Sequence, residues 1–455
     1  MLNLVRLSIQ HRRLLIQISI LITLLLASFW GRLSNAPPSF SAEYSLGFAV
    51  TWGMLITIGL WLLLGLPGLR TMLLSRVRLI WLIVISILTL WSSASQFWAL
   101  MEATRPEIAQ GRALQTMIAL AFWIVIACVA PAPRSVARIL ILLMLIHGVI
   151  GAVQVARHAP LGLAALGEIR FDPAQSGTSV IQSGETRWLR PYGLLPHPNM
   201  LAGIFVLGTL CAGAAVLDEA GKRRWLYTAF FVFGIWMLLL SFSRSAWLAT
   251  GAAGLAALPW LIRSRAQLRR NLPTLGVLVV TGAVFLAFYA PLLLARAGVG
   301  SENTEMRSIA DRAVFTQIAM TAIQRAPWQG LGAANYPWYA ADYLWRFTDY
   351  DLRGDNVHHI GLLLWSELGL IGLLLFFAAI GLSFQLALSS IRRDSAPRTR
   401  VMLLAGAAAF LLIGFFDHYP WTIIHFQALW FAALGTAMAP VDPVQPGELP
   451  HNPHP

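Results

Sequence analysis

Apolar runs of about 17–25 residues recur along nearly the whole chain, broken by short polar segments rich in arginine. Twelve runs stand out, at 14–30, 45–66, 79–100, 113–130, 137–156, 200–217, 225–242, 245–262, 274–295, 360–391, 401–416 and 422–439. The run 360–391 is too long for one straight crossing. It is expected to begin outside the bilayer or to break near Gly369 and Gly372. The pattern predicts an all-α polytopic membrane protein of about twelve transmembrane helices, a single integral membrane domain over 1–440. The first run follows Arg6, Arg12 and Arg13 and lacks a clear small-residue cleavage site, so it reads as a retained helix. Residues 441–455 are Pro-rich and polar, which predicts a disordered cytoplasmic tail.

Composition agrees with this reading, since 57% of the 455 residues are hydrophobic and only 12% are charged, against roughly a quarter charged in soluble domains. The net charge of +13 does not point to nucleic acid, because one Lys and 32 Arg are dispersed among the loops. Placing the N-terminus inside gives inner segments that hold 19 of the 33 basic residues and five of the 20 acids. That asymmetry obeys the positive-inside rule and puts both termini in the cytoplasm. The outer segments at about 157–199 and 296–358 are long, and long ordered loops usually carry function. Met306–Arg325 in the second lacks Pro and Gly, and its Ile309, Phe315, Ile318, Ala322 and Ile323 predict an amphipathic helix that lies on the membrane or roofs a cavity. The aromatic cluster from Trp328 to Trp345 reads as an interfacial belt or a sugar-stacking surface. Cys128 and Cys211 both fall in apolar runs and imply neither a disulfide framework nor a cysteine metal site.

The unusual polar residues gather on the outer side. Arg190 opens Arg-Pro-Tyr-Gly-Leu-Leu-Pro-His-Pro-Asn199, a Gly- and Pro-dense stretch that suggests a shaped turn as well as an interfacial arginine. His197 and Asn199 stand just before an apolar run, where Asn199 is a good N-cap. Arg244, in Ser-Phe-Ser-Arg-Ser between two spans, is at or below the headgroup plane, where a charge needs a partner, a function or a route to lipid phosphate. Arg312 follows Asp311 on the amphipathic helix, and a surface ion pair is its simplest explanation. His358 and His359 close the second loop, where a histidine can act as a base near neutral pH. Glu367 lies nine residues after His358 and reads as structural. A cationic site beside apolar helices suggests chemistry on a lipid-linked anion. No nucleotide-binding fingerprint, outer carboxylate pair or metal-ligand cluster of known spacing is present, so no metal and no cofactor are expected, and the substrate must arrive activated.

The stretch from His358 to Gly372, with glycines at 369 and 372, resembles the signature of the O-antigen ligase and polymerase superfamily: a histidine, usually followed by Asn, Ser or Gln, then nine residues and Gly-x-x-Gly. His359 stands at the usual amide position, which leaves either histidine as the base. Arg190-Pro-Tyr-Gly with Pro198-Asn199, then Ser243-Arg244-Ser-Ala, then Arg312 followed by Pro327-Trp-Gln-Gly-Leu-Gly fit the same family in the same order, over about 190–372. The resemblance implies a bacterial inner-membrane protein with a periplasmic active site. It implies transfer of O-antigen glycan from undecaprenyl pyrophosphate to lipid A–core oligosaccharide, with membrane lipids as surroundings. Arg190, Arg244 and Arg312 would stabilise the pyrophosphate through charged, often bidentate, hydrogen bonds. His358, or His359, would take the acceptor proton in a single inverting displacement. An O-antigen polymerase, a protein O-glycosyltransferase and a related wall-polymer glycosyltransferase remain as alternatives. A transporter is the alternative of another class, although transporters place their polar groups at the bilayer midplane.

Overall fold

Each of the twelve apolar segments folds as a helix, because a chain in hydrocarbon must pair every backbone N–H and C=O internally. The computed structural model describes residues 8–27, 29–30, 47–102, 106–175, 177–184, 186–296, 302–348 and 354–441. The expected tail from 442 onward lies outside them.

The chain runs through α1 (Ile9–Leu26), α2 (Phe48–Leu63), α3 (Leu69–Leu73), α4 (Arg76–Ala94), α5 (Gln96–Glu102), α6 (Pro106–Val129) and α7 (Pro133–Arg157). A loop with a small hairpin, β1 (Val180–Ser183) and β2 (Thr186–Leu189), leads to α8 (Pro198–Asp218), α9 (Gly221–Leu240), α10 (Arg244–Leu261) and α11 (Arg265–Arg296). Then come α12 (Glu302–Arg325), α13 (Tyr336–Tyr343), α14 (Ile360–Arg393), α15 (Arg398–Gly414), α16 (Tyr419–Thr422) and α17 (Ile424–Met438). Among the described residues, eight helices are long and apolar enough to cross a membrane, and Ala49–Leu63 and Ile424–Met438 are shorter apolar ones. The protein is a multi-pass membrane protein.

Helices α8 and α17 are apolar all round and buried on nearly every face, so they form the centre. Helix α11 is equally apolar yet exposes Val279, Val280, Leu286 and Phe288, as a lipid-facing helix must. The connections sort into two ends as the alternation predicts. At one end Asp218 meets Arg398 at 3.0 Å and Arg134 at 4.0 Å, and Arg224 donates to Asn271 Oδ1 at 3.0 Å. These are segments expected inside. Segments expected outside meet one another at the opposite end.

The two long loops are built structures. Gln154, at the end of α7, donates to Glu168 Oε1 (2.7 Å) and the Gly193 carbonyl (2.8 Å) and accepts from the Tyr192 and Gly193 amides. One buried amide therefore fixes both sides of the first loop. The β1–β2 hairpin, with Val180 opposite Leu189, had no counterpart in the sequence reading.

In the second loop, the expected amphipathic helix is α12. It buries Phe315, Ile318, Ala319 and Ala322 and packs on α14, while Ile309 points outward. Helix α14 breaks at Gly369 (φ 68°, ψ −177°), within the pair of glycines named above. The turn 327–332 docks on this break through its backbone. The Leu331 amide donates to the Ser366 carbonyl and the Gly332 amide to the Glu367 carbonyl, both at 2.8 Å, and the Leu370 amide donates to the Pro327 carbonyl at 2.9 Å. A Cβ on Gly369 would lie 2.0 Å from the Trp328 oxygen, and one on Gly330 2.3 Å from the Glu367 oxygen. Both motifs need glycine because two backbones touch there. Glu367 is buried and accepts from the Tyr336 amide at 3.3 Å.

Gly369→Ala should therefore cost at least about 1–3 kcal/mol of stability, from backbone strain with the clash added. Gly381→Ala, in the same helix with nothing within 4 Å of its Cβ, should be neutral or stabilising. Unfolding midpoints of both variants in one detergent check this, and equal midpoints would reject the interlock.

Candidate active site

Arg190 leaves the hairpin into a turn shaped by Pro191 and by Gly193, whose φ is 63°. A side chain on Gly193 would press on His147 at 3.0 Å. The turn buries Arg190 to 3% exposure. Its Nε donates to the Ser241 carbonyl (2.7 Å), Nη1 to Ser179 Oγ (2.8 Å) and Nη2 to Asn199 Oδ1 (2.8 Å). Asn199 is not the N-cap of α8. With Pro198 at the first turn, His197 takes that place and accepts the Asn199 amide through Nδ1 at 3.0 Å. Burial and the neighbouring Arg190 push the His197 imidazole down to about 3, so the ring is neutral and free to accept. The Asn199 side chain instead bridges Arg190 to the buried carboxylate of Asp417, donating to Oδ2 at 3.2 Å.

Ser241–Ser243 turns tightly, with Phe242 at φ 49°. Arg244 is exposed at the start of α10, and its Nη1 donates to the Arg296 carbonyl at 3.1 Å. Arg296, the last residue of α11, donates from Nε to the Phe242 carbonyl at 3.3 Å. Arg296 feels both Arg244 and Arg312 electrostatically. Arg312 is half-buried on α12 and reaches Asp417, His358 and His418 in the same way. Arg190, Arg244, Arg296 and Arg312 thus share one end of the bundle.

His358 and His359 are consecutive but serve different ends. His359 caps α14, its Nδ1 accepting from the Leu362 amide at 3.2 Å, and its ring lies against Phe415. His358 turns inward to face His418, with ring centroids 5.3 Å apart and nearly perpendicular planes. Its Nδ1 is sealed from solvent and has no hydrogen-bond partner among the described residues. Burial lowers the His358 imidazole below its ordinary value, with His418 and Arg312 adding to the effect, while Asp417 and Asp355 oppose it. The ring is therefore neutral at pH 7.

Asp417 and His418 come from the short connection between α15 and α16 and were absent from the sequence reading. The Asp417 Oδ1 accepts the His418 amide at 2.9 Å. Burial alone would raise the Asp417 carboxyl, but His358, His418, Arg312 and His197 outweigh it and hold it below its usual value. His418 Nδ1 lies 2.8 Å from Thr422 Oγ1, and its Nε2 lies 3.7 Å from Asp355 Oδ1. Asp355, His358 and His418 each bring one potential ligand atom within 4.8 Å of the others. That trio could hold a cation; Asp355 stands close to His358 in sequence, but nothing in the spacing pointed to His418.

All five residues expected to carry chemistry, together with His197 and Asn199, lie at this end. The additions are Arg296, Asp417 and His418. The family model described as O-antigen ligase matches residues 229–377. The match supports a member of the O-antigen ligase superfamily and a glycosyltransferase activity of that general type. No curated protein matches the chain. The matched segment holds Arg244, Arg296, Arg312, His358, His359 and both interlocking glycine motifs. It excludes Arg190–Asn199 and Asp417–His418, which the fold brings to it.

Because three nitrogens of Arg190 are engaged and buried, Arg190→Ala should lose at least about 2–3 kcal/mol of stability. Exposed Arg244→Ala should stay within about 1 kcal/mol of the parent. Thermal unfolding of the two variants side by side tests the distinction, and a parent-like Arg190→Ala would deny the framing role.

Proposed function

We propose that this protein is an O-antigen ligase that moves glycan from undecaprenyl pyrophosphate to a hydroxyl of lipid A–core oligosaccharide, on the periplasmic side of the bacterial inner membrane. The observation that carries the reading is a neutral His358 imidazole beside clustered arginines. Arg244, Arg296 and Arg312 repel one another, and a pyrophosphate placed among them relieves that cost while they stabilise charge on the leaving group. The acceptor hydroxyl attacks the anomeric carbon, its proton passes to His358, the bond to the pyrophosphate oxygen breaks, and the carbon inverts. Arg190 frames this site from behind, a role different from the direct contact the sequence suggested. The polyprenyl tail would lie along the apolar faces of α9 and α11.

Arginines rather than a divalent ion are assigned the pyrophosphate. A dication on Asp355, His358 and His418 would sit in the field of Arg312 and would occupy the proposed base. A transporter is disfavoured because the clustered polar groups lie at helix ends.

His358→Ala should lower the transfer rate on the order of 10²–10⁴-fold with donor affinity nearly kept, while His359→Ala should be milder. The parent's rate should fall on acidification, since protonated His358 cannot accept a proton, and the midpoint should lie below the ordinary imidazole value near 6.5. Folded Asp417→Asn, lacking the carboxylate that favours imidazolium, should move that midpoint lower still. Rate against pH for each variant decides: near-normal transfer by His358→Ala, or a larger loss at His359→Ala, would move or remove the base.

The function itself is tested by mixing purified protein, lipid-linked glycan and lipid A–core in EDTA. Transfer with release of lipid pyrophosphate is expected. Growth of the lipid-linked glycan instead would indicate a polymerase, and loss of transfer restored by Mn²⁺ would reassign Asp355, His358 and His418 to a metal.

A further inference from the structure

The opposite end of the bundle carries a second cationic cavity that the transfer reaction does not use. Its volume is about 310 Å³, and Arg134, Asp218, Trp260, Arg263, Gln267 and Arg398 are among its walls. That size is at the lower bound for small-ligand sites. It lies where α7 and α15 begin, α8 and α10 end, and α11 starts. Three arginines face one carboxylate. Asp218 is already shared between Arg398 at 3.0 Å and Arg134 at 4.0 Å. Its charge is therefore spent once, and the cavity keeps an excess of about two positive charges.

The local structure holds this opening in place. Helix α10 carries Pro259 in its last turn and stops at Leu261. The Arg263 amide then donates to Gln267 Oε1 at 2.8 Å, which fixes the short turn into α11. Arg398 also donates to the Leu217 carbonyl at 3.3 Å, so one wall is tied to the end of α8. A smaller hollow that shares Arg134 and Asp218 is lined by apolar Ala137, Ile141, Cys211 and Ala215 together with Arg138, Glu219 and Thr399. Polar room for a headgroup thus adjoins a partly apolar hollow between helices. Basic pockets between membrane helices at this level suit anionic lipid headgroups.

We infer that this cavity binds the phosphate headgroup of an anionic glycerophospholipid, which bridges the ends of α7, α8, α10, α11 and α15. Arg134 and Arg263 contact the phosphate, Arg398 stays paired with Asp218, and Trp260 lines the cavity beside them. The site is independent of the transfer chemistry, at the other end of the molecule, so its failure would leave the proposed function untouched.

The test uses full-length protein stripped of lipid in a neutral detergent. Phosphatidylglycerol should raise the unfolding midpoint by several degrees, by binding the folded state, and phosphatidylcholine should do so much less. Arg134→Gln/Arg263→Gln should lose the phosphatidylglycerol shift, and Arg70→Gln/Arg76→Gln, basic residues outside the cavity, should keep it. Should the double variant fail to fold, Arg263→Gln alone, exposed at the rim, must reduce the shift. Equal shifts from both lipids, or a full shift in the cavity variants, would overturn the site. An equal shift from free glycerol phosphate would assign it to a soluble anion and overturn the lipid reading.

Discussion

Gathering arginines at one end of an apolar bundle costs electrostatic energy, and the buried carboxylate of Asp417 offsets it. Asp417 lies within the field of Arg312, His197, His358 and His418, and reaches Arg190 through Asn199. In a medium of low dielectric these interactions are strong, and so is the penalty for each charge. Burial sorts the groups by their ordinary acidity. An imidazole starts near neutrality, so modest desolvation keeps it unprotonated. A guanidinium starts so far above pH 7 that it stays charged. One environment thus produces a neutral base beside permanent cations. The transfer proposed above needs both, and no residue in the site has to be specialised separately.

The backbone interlock at Gly369 supplies the geometry for this arrangement. Arg312 is on α12 and His358 immediately precedes α14, and the docking of 327–332 on 366–371 fixes the relation between the two helices. Buried apolar contact from Phe315 to Ala322 adds to it. The family match ends at 377, just past this interlock.

Most of the fold was legible, because an apolar run long enough to span a bilayer has one solution, and the sequence shows such runs directly. The break in α14 was legible from excess length and paired glycines. The hairpin at 180–189 was not, since four-residue strands with mixed polarity give no periodic signal. Asn199 misled because a local capping rule was overridden by Arg190 and Asp417, 9 and 218 residues away in sequence. Arg296 was passed over as an ordinary flanking arginine at the end of a span. Asp417 and His418 were passed over as a short connection. The signal that could have found Asp417 was present, since an acid between two apolar helices needs a partner or a purpose.

The two ends of the bundle use arginine differently, and the difference bears on which end reacts. At the end expected inside, Arg400 donates to the carbonyls of Thr436, Ala437 and Ala439 and pairs with Asp394 at 3.0 Å. Arg78 donates to the Met438 carbonyl at 3.0 Å. These cations complement the negative end of α17, and Asp394 and Asp218 bind their arginines directly. At the opposite end, Arg190, Arg244 and Arg296 also meet carbonyls. Yet among the described residues Asp417 makes no direct ion pair with an arginine, and its hydrogen-bond link to Arg190 runs through the Asn199 amide. A direct pair would neutralise one cation and block its outward N–H groups. Sharing the carboxylate through Asn199 and the histidines stabilises the cluster while its attraction for an incoming anion persists.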